Sequence, residues 1–557
     1  MPVEIKFLAN TSFTTFKSFW TVKSLFAVNG GVTVIPLLSS VSMLVPVKVG
    51  VNLEEVENDL TASSGDSSSI PNRSVDIVNA RPGSRRATHF ALTDEEAKNL
   101  ENDPRVEAVE IPPDQRDDIK IGFNATQIAN FTKGGNPDTD TSKVNWGLKR
   151  ANMPTNLYAS GTTTDQNYEY ALEGEGVDIV IQDSGVQFDH PEFIDNLGNN
   201  RCVSFDWYST GVSGSLNANF YRDYDGHGTH CAGIVAGKTY GFAKKARIFS
   251  QKLSGLEGAG DAGTGMPILD SFDAIRLWHA NKPVQPNGYK RPTVVNMSWG
   301  YYSEVTGNPT GGTYRGTSWT YGVDYTTRTG LWAGTGVVPE LAALSASRMP
   351  NRVTAVDAEV EDLIAGGVHV VIAAGNDYYK GDLSTGTDYN NSVVYGGLTY
   401  FYHRGSSPHS DNSLMVGNID TGVQNDQDKT YQSSSRGPRV NIWAPGTNIF
   451  SCVSTTNVYS GLDYPSDTNF KIAKLNGTSF AAPQVAGVSA LIAGANPQIT
   501  PAQLKSQITA DAKSVIYDTA SDSDYDQFGT SLLGADNKML FNKYGRQPFI
   551  FKNIGLG

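Results

Sequence analysis

A chain of 557 residues exceeds the roughly 100–200 residues of an ordinary domain, so two or more domains are expected, and its 39% hydrophobic content allows a large buried core. The formal charge of −13, with no basic block anywhere, argues against a nucleic-acid or anionic-membrane partner, because phosphate binding needs concentrated lysine and arginine. Three cysteines, Cys202, Cys231 and Cys452, cannot all pair within the chain and exclude a disulfide scaffold.

Residues 1–44 form an unassigned N-terminal segment. The uncharged run over 25–47, LFAVNGGVTVIPLLSSVSMLVPV, has the length of a signal or membrane segment. Asn29-Gly30-Gly31 nevertheless reads as a hairpin turn, Pro36 interrupts the remainder, and no basic n-region precedes it. Buried β-structure is therefore expected and no clear membrane segment, which leaves the route of any export open. Residues 62–74 are a Ser-rich loop. Thr93 with Glu96 is a capping box that opens a helix to about Asn102, ended by Asp103-Pro104, and RVEAVEI then alternates as an edge strand does. Residues 45–115 thus read as a small α/β unit, and 116–143, rich in Gly, Asn, Asp and Thr, as a linker exposed to cleavage.

From 144 to 520 apolar strand-like runs alternate with helix-like runs: GVDIVIQ, HCAGIVAG, ARIFSQKL, ILDSFDAIRLWHAN, PTVVNMSWG, VEDLIAGG, VHVVIAAG and SFAAPQVAGVSALIAGA. Continuous apolar strands separated by helices imply an α/β domain with a mainly parallel sheet covered on both faces. Sites in such sheets lie at the strands' C-terminal ends, where Asp183, Ser298 and Asn376 fall. Two long stretches, about 301–350 and 377–413, interrupt the pattern and are rich in tyrosine; they suit either a recognition surface or loops stapled down by rings. Residues 521–557 are a polar C-terminal extension.

Three glycine-flanked motifs carry the chemistry: IVIQDSG around Asp183, DGHGTHCAG around His227 and NGTSFAAPQVAG around Ser479. They supply a carboxylate able to hold an imidazole in one tautomer, a base, and a hydroxyl at the start of an apolar helix, where free N–H groups face a developing oxyanion. His230 reads as a structural hydrogen-bonding residue and Cys231 as a small core side chain, since a complete serine constellation is already present.

In the order Asp…His…Ser these motifs resemble the subtilisin-like serine proteases of peptidase family S8, nearest the proteinase K branch, from about Trp146 to about Ala520. The VNWGLKRANMP segment resembles the start of the mature enzymes, and the unit over 45–115 resembles an I9-type prodomain, although its pattern taken alone fits any small α/β unit. The resemblance implies a three-layer fold and catalytic roles for Asp183, His227 and Ser479, with Asn376 in AAGN donating to the oxyanion. It also implies a substrate laid as an extended strand between Ser298, Trp299 and Gly300 on one side and Ala373, Ala374 and Gly375 on the other. Trp299 is expected to form an aromatic P1 wall favouring bulky apolar residues, with Glu304 as the nearby acid for the alternative, a basic P1.

SSSRGP and NIWAPG resemble family segments that brace the active-site helix. Asn441 stands where the proteinase K branch carries a calcium-binding Asp, and Glu192 matches another acid that some relatives use, so structural calcium is possible while no cofactor is required. The expected function is a serine endopeptidase acting through an acyl-enzyme, made as a proenzyme, extracellular or particle-associated, with polypeptide substrates and its own prodomain as intramolecular inhibitor. The alternative is a structural or adhesion component, for example of a viral particle, that retains the domain as an interaction module.

Overall fold

The computed structural model describes residues 40–48, 51–62, 70, 73–79, 87–106, 109, 127–133, 145–156, 166–212, 214–216, 220–253, 265–266, 268–304, 307–324, 348–352, 354–521, 524–526 and 528–544. The chain divides into two units, Met1–Gly122 and Phe123–Gly557.

In the first unit, β1 (Val41–Pro46) is followed by α1 (Leu53–Thr61), β2 (Ile77–Asn79), β3 (Ala87–Leu92) and α2 (Asp94–Leu100). The strands form an antiparallel sheet in the order β1-β3-β2, with Val41 opposite Leu92 and Pro46 opposite Ala87. Period-two burial puts Met43, Val45 and Val47 into a core with Leu53, Val56 and Leu60 of α1. The capping box at Thr93 and Glu96 is present in full, and Arg73 braces Glu96 at 2.6 Å. The sequence boundary at 44/45 falls inside β1, so the unit starts earlier than expected. Of RVEAVEI, Val106 bridges Val47, while most of that run, like the expected turn at Asn29-Gly30-Gly31, lies outside the described residues.

The second unit opens with β4 (Gln127–Lys133), α3 (Trp146–Ala151) and β5 (Gln166–Tyr170); β4 pairs antiparallel with β5. The expected linker therefore contains a strand, whose Ile, Phe and Thr were masked by polar surroundings. The core elements follow as β6 (Asp178–Asp183), β7 (Cys202–Val203), α4 (His227–Ala236), β8 (Arg247–Lys252), α5 (Ile268–Ala280) and β9 (Thr293–Met297). Next come β10 (Tyr302–Glu304), β11 (Gly311–Tyr314), β12 (Thr317–Thr320), β13 (Arg348–Pro350), α6 (Thr354–Ala365), β14 (His369–Ala373), β15 (Ser392–Tyr395) and β16 (Leu398–Tyr400). The unit ends with β17 (Leu414–Gln424), β18 (Gln427–Thr430), β19 (Ile442–Pro445), β20 (Ile449–Val453), β21 (Leu462–Tyr464), β22 (Asp467–Leu475), α7 (Thr478–Ala495) and α8 (Pro501–Asp511).

The central sheet has the order β18-β17-β14-β9-β6-β8-β7, with β19 beside β17. Its pairings are parallel except β17 with β18. β6, β9 and β14 are buried at every position, as strands covered on both faces must be. Two helix pairs, α4 with α7 and α5 with α6, supply the cover. α7 is the one helix among the described residues with the length and apolarity of a membrane span, and 89% of it is buried inside the protein. The chain leaves β6 for β8 on one side and returns to β9 on the other, so the carboxyl end of β6 is a topological switch point. Asp183 is its last residue.

The two long interruptions are not separate loops. β11 pairs with β12 and, across 80 or so residues of chain, with β15, giving one antiparallel sheet in the order β12-β11-β15-β16. Trp319, Met349, Tyr379, Val393 and Tyr402 form its own small core, so several of the tyrosines act as staples. The C-terminal boundary also moves. Leu532, Met539 and Leu540 are buried in the main core, and Trp443 N–H donates to Lys538 O at 2.8 Å, so residues to 544 belong to this unit.

Candidate active site

Asp183, His227 and Ser479 line one cleft of about 460 Å³, together with Ser298, Trp299, Gly300, Ala373, Gly375 and Asn376. Each motif residue is positioned by the end of an element. Asp183 is nearly fully buried, and its Oδ1 accepts from Ser184 N–H at 2.7 Å and from His227 Nδ1 at 2.8 Å. His227 begins α4 after Gly226. A Cβ on Gly228 would lie 2.1 Å from Gly185 O, so only glycine lets α4 approach the β6 turn this closely.

A buried carboxylate outside the motif readings fixes that approach. Asp223 accepts from Gly226 N–H, Asp225 N–H and Ser184 Oγ on one oxygen and from Thr229 N–H and Oγ1 on the other. Ser184 Oγ in turn accepts Gly228 N–H at 2.9 Å, so the Asp183 turn and the His227 helix are tied at one point. Burial raises the Asp223 carboxyl above its usual range against the pull of those donors.

Burial by itself would push the His227 imidazole down, but the adjacent Asp183 carboxylate outweighs it and holds the group well above its ordinary value. Below it, Cys231 Sγ lies 3.9 Å from Nδ1, and burial keeps the thiol protonated. His230 is buried, bonds Ala473 O at 3.1 Å, and is pushed down to about 3 by desolvation, the neutral structural role expected.

Ser479 is the second residue of α7, preceded by Gly477 at φ +152°. Pro483 sits in the same helix four residues on and has no N–H, so the Ser479 carbonyl loses its helical donor. Ser298 Oγ at 2.9 Å and Cys231 Sγ at 3.4 Å take that carbonyl instead. The Ser479 hydroxyl donates to Ser298 O at 3.2 Å. Asn376, an exposed residue, has its Oδ1 accept from Thr478 N–H at 2.9 Å and Thr478 Oγ1 at 3.1 Å, which ties its amide to the start of α7.

The cleft is lined by Ser298, Trp299 and Gly300 on one side and by Ala373 and Gly375 on the other, with Ser406 and Ser407 also lining it, while Ala374 between them faces away from it. A Cβ on Gly300 would meet Ser406 O at 2.7 Å, which explains the glycine. Tyr301 N–H donates to Ser406 O at 2.8 Å and pins the wall to this loop. Trp299 corrects the sequence reading. Its indole is turned into the core, donating to Gln182 Oε1 at 3.2 Å and packing edge-on against Phe272 and Tyr301, so the ring is not an open P1 wall. Ala374 is buried in the wall at 5% exposure, and the Glu304 side chain lies outside the described residues. Asp377, Ser406, Tyr302 and Tyr459 also line the cleft and had no motif to announce them, and Asp225, which opens the DGHGTHCAG motif, lines it too.

Neither position marked for calcium fits the ion. Lys505 Nζ donates to Asp411 O at 2.7 Å, Ser413 O at 2.8 Å and Asn441 Oδ1 at 3.2 Å, so an ammonium already fills the cage. Glu192, fully buried, accepts from Thr239 N–H, Tyr240 N–H and Tyr464 OH.

The subtilase family model matches residues 174–545. Subtilisin-like protease 1 of Pseudogymnoascus destructans is 26% identical over 371 residues, covering 66% of this chain and 63% of its own length. Subtilase-type proteinase RRT12 of Saccharomyces cerevisiae is 28% identical over 327 residues, covering 58% of this chain and 45% of its own. The chain thus spans less than two thirds of the length of these curated relatives. A solved cold-adapted subtilisin-like serine proteinase aligns with 72% of this chain and 99% of its own at 23% identity, with a TM-score of 0.43. With the family model covering more than half of the sequence and the motifs around Asp183, His227 and Ser479 inside it, the chain belongs to the subtilase family, peptidase S8.

Proposed function

We propose that this protein is a serine endopeptidase that cleaves polypeptides through an acyl-enzyme. The observation that carries the reading is the 2.8 Å contact between His227 Nδ1 and Asp183 in the same cleft as a serine at a helix start. With Nδ1–H committed to Asp183, Nε2 carries the lone pair and acts as base. Ser479 Oγ swings from Ser298 O toward it, loses its proton to Nε2 and attacks the peptide carbonyl carbon. The oxyanion takes N–H donors from the start of α7 and from Asn376 Nδ2. Collapse breaks the C–N bond, and the departing amine leaves with the proton from His227. Water then repeats the sequence on the ester, releasing the acid and restoring Ser479.

The substrate lies as an added strand between the segments 298–300 and 373–375, which present backbone groups to the cleft. A full-length chain treated with a fluorophosphonate probe should be labelled at Ser479, and Ser479→Ala should abolish labelling; an unlabelled wild type overturns the proposal.

The first unit acts as the prodomain of this enzyme. It precedes the protease unit in the chain, and the thirteen buried apolar residues among its described residues are a small core for an independent domain. N-terminal sequencing of full-length wild type should show a cut between 107 and 126 that Ser479→Ala lacks. The same uncut chain from both means a permanent domain.

A further inference from the structure

A second cleft, of about 430 Å³, opens at the other end of the central sheet from Asp183. Three of the side chains that line it converge on Asp178, the buried first residue of β6. Arg247 donates from Nε to Oδ1 at 2.7 Å and from Nη2 to Oδ2 at 3.0 Å, Arg291 donates from Nε to Oδ1 at 2.7 Å, and Lys282 Nζ lies 2.7 Å from Oδ2. Three cationic heads are thus gathered around a single carboxylate. Burial pulls Lys282 from 10.5 down to about 8 against the attraction of Asp178, so it too is charged at neutral pH. Three positive charges against one negative leave an excess of two, and no residue given as lining the cleft is acidic. In a chain of formal charge −13 that local excess runs against the trend.

The carboxylate does not occupy all the donors. Arg247 commits Nε and Nη2 to Asp178, and Arg291 commits Nε to Asp178 and Nη2 to Val177 O, so Nη1 of each has no hydrogen-bond partner among the described residues. Neither nitrogen is among the buried unpartnered atoms, so both remain open to solvent. Phe205 and Trp278, with ring centroids 5.9 Å apart, supply an apolar wall to the same cleft. Lys282 Nζ stands 4.0 Å from the centre of the Trp278 ring, so the charged and aromatic surfaces adjoin. Ser209, Thr210, Asn281 and Gln285 add hydroxyls and amides to the lining.

The space is in the range that small-molecule sites occupy. A ligand that answers the excess charge must be close to dianionic and must offer several acceptors to guanidinium forks, which a phosphomonoester does with its three terminal oxygens. A monocarboxylate leaves one charge unmatched, and inorganic phosphate leaves the aromatic wall uncovered.

We propose that this cleft binds a small phosphomonoester carried on an aromatic ring, its phosphate against Arg247, Lys282 and Arg291 and its ring against Phe205 and Trp278. The site lies at the opposite end of β6 from Asp183, about 17 Å along the strand, and stands independently of whether the other cleft cleaves peptides.

The test uses the full chain. By calorimetry, phenyl phosphate should bind one to one with a Kd of about 1 mM or below, inorganic phosphate about tenfold more weakly or worse, and phenol not measurably. Crystals soaked in phenyl phosphate should show its phosphate within hydrogen-bonding reach of Nη1 of Arg247 and Arg291. Arg247→Gln, at a side chain 43% exposed, should weaken phenyl phosphate about tenfold or more. If that variant fails to fold, Gln285→Glu, which sets a carboxylate in the lining, should weaken it to a similar degree. Adenosine monophosphate and phosphotyrosine amide, compared in the same way, separate a free nucleotide from a modified side chain as the source, the tighter of the two naming it. Phenyl phosphate that does not bind, or that binds wild type and variant alike, overturns the proposal and leaves the three cations a purely structural tie for Asp178.

Discussion

The parallel core and the tyrosine-rich antiparallel sheet are built in opposite ways. In the core, each reactive side chain sits at the end of a strand or the start of a helix, and short contiguous motifs fix both. Asp183 closes β6, His227 opens α4 and Ser479 opens α7. In the β12-β11-β15-β16 sheet the partners come from two stretches some 80 residues apart, and no local motif links them. Its stability rests on an aromatic cluster and on Asp388, which pairs with both Arg315 and Lys380. Local encoding places chemistry, while the added sheet is an assembly of remote contacts.

The largest test of that contrast is Ser479→Ala. Turnover should fall by about 10⁶, with unfolding midpoint and circular dichroism unchanged, because among the described residues the hydroxyl donates one hydrogen bond, to Ser298 O. Loss of folding along with activity would mean that the core is not so locally encoded.

Asp183→Asn should lower kcat by about 10⁴. It should also reveal the electrostatics. His227 must be neutral to act as base, and Asp183 favours its charged form, so wild-type kcat/KM should rise with pH along a limb above the ordinary histidine value of about 6.5. Removing the carboxylate's charge should move that limb to lower pH. A limb that stays in place contradicts the assigned pair.

For Asn376→Ala the expected loss is about 10²–10³ in kcat with KM little changed, since its amide serves mainly the transition state. A change confined to KM would place Asn376 in substrate binding instead.

The smallest effect on turnover belongs to the other region. Trp319→Ala should cost about 3–5 kcal/mol in the added sheet through a lost aromatic core residue. Amide exchange in β11, β12 and β15 should accelerate while kcat/KM changes less than about threefold. Parallel loss of activity would show that the two regions are one cooperative body.

Legibility in the sequence follows the same division. The apolar runs at β6, β8, β9 and β14, the capping box at Thr93 and the glycine-flanked motifs that meet in the cleft were readable because each is contiguous and local. β17 was not: its run LMVGNIDTGVQ is broken by glycine and aspartate, and Gly417 is required there because a Cβ would strike the Trp443 ring at 2.4 Å. The tail to residue 544 escaped notice because its buried Leu532, Met539 and Leu540 join the core through isolated bridges and turns, not a periodic element. Ser406 and Ser407 reach the cleft from a loop about 70 residues before Ser479, and Asp223 serves through its hydrogen bonds, so neither carries a recognisable pattern. Trp299 was correctly placed at the cleft by its strand, but the direction of its ring depended on Gln182 in a neighbouring element.

The Lys505 cage gives the junction between the 411–413 loop and Asn441 a ligand that is part of the chain. A free ion at such a place has a dissociation constant, a supply on which folding waits, and a chelator that strips it; a tethered ammonium has none of these. Its control is the proton. Burial pulls Lys505 from 10.5 down to about 8, so the charged clamp is complete below that pH and releases its proton earlier than the unfolded chain would. Between about 8 and 10.5 the unfolded chain binds the extra proton, and this group's contribution makes the folded state relatively more stable as pH rises, even as the loop loses its charged tie. The joint is thus blind to chelators and tuned to alkali.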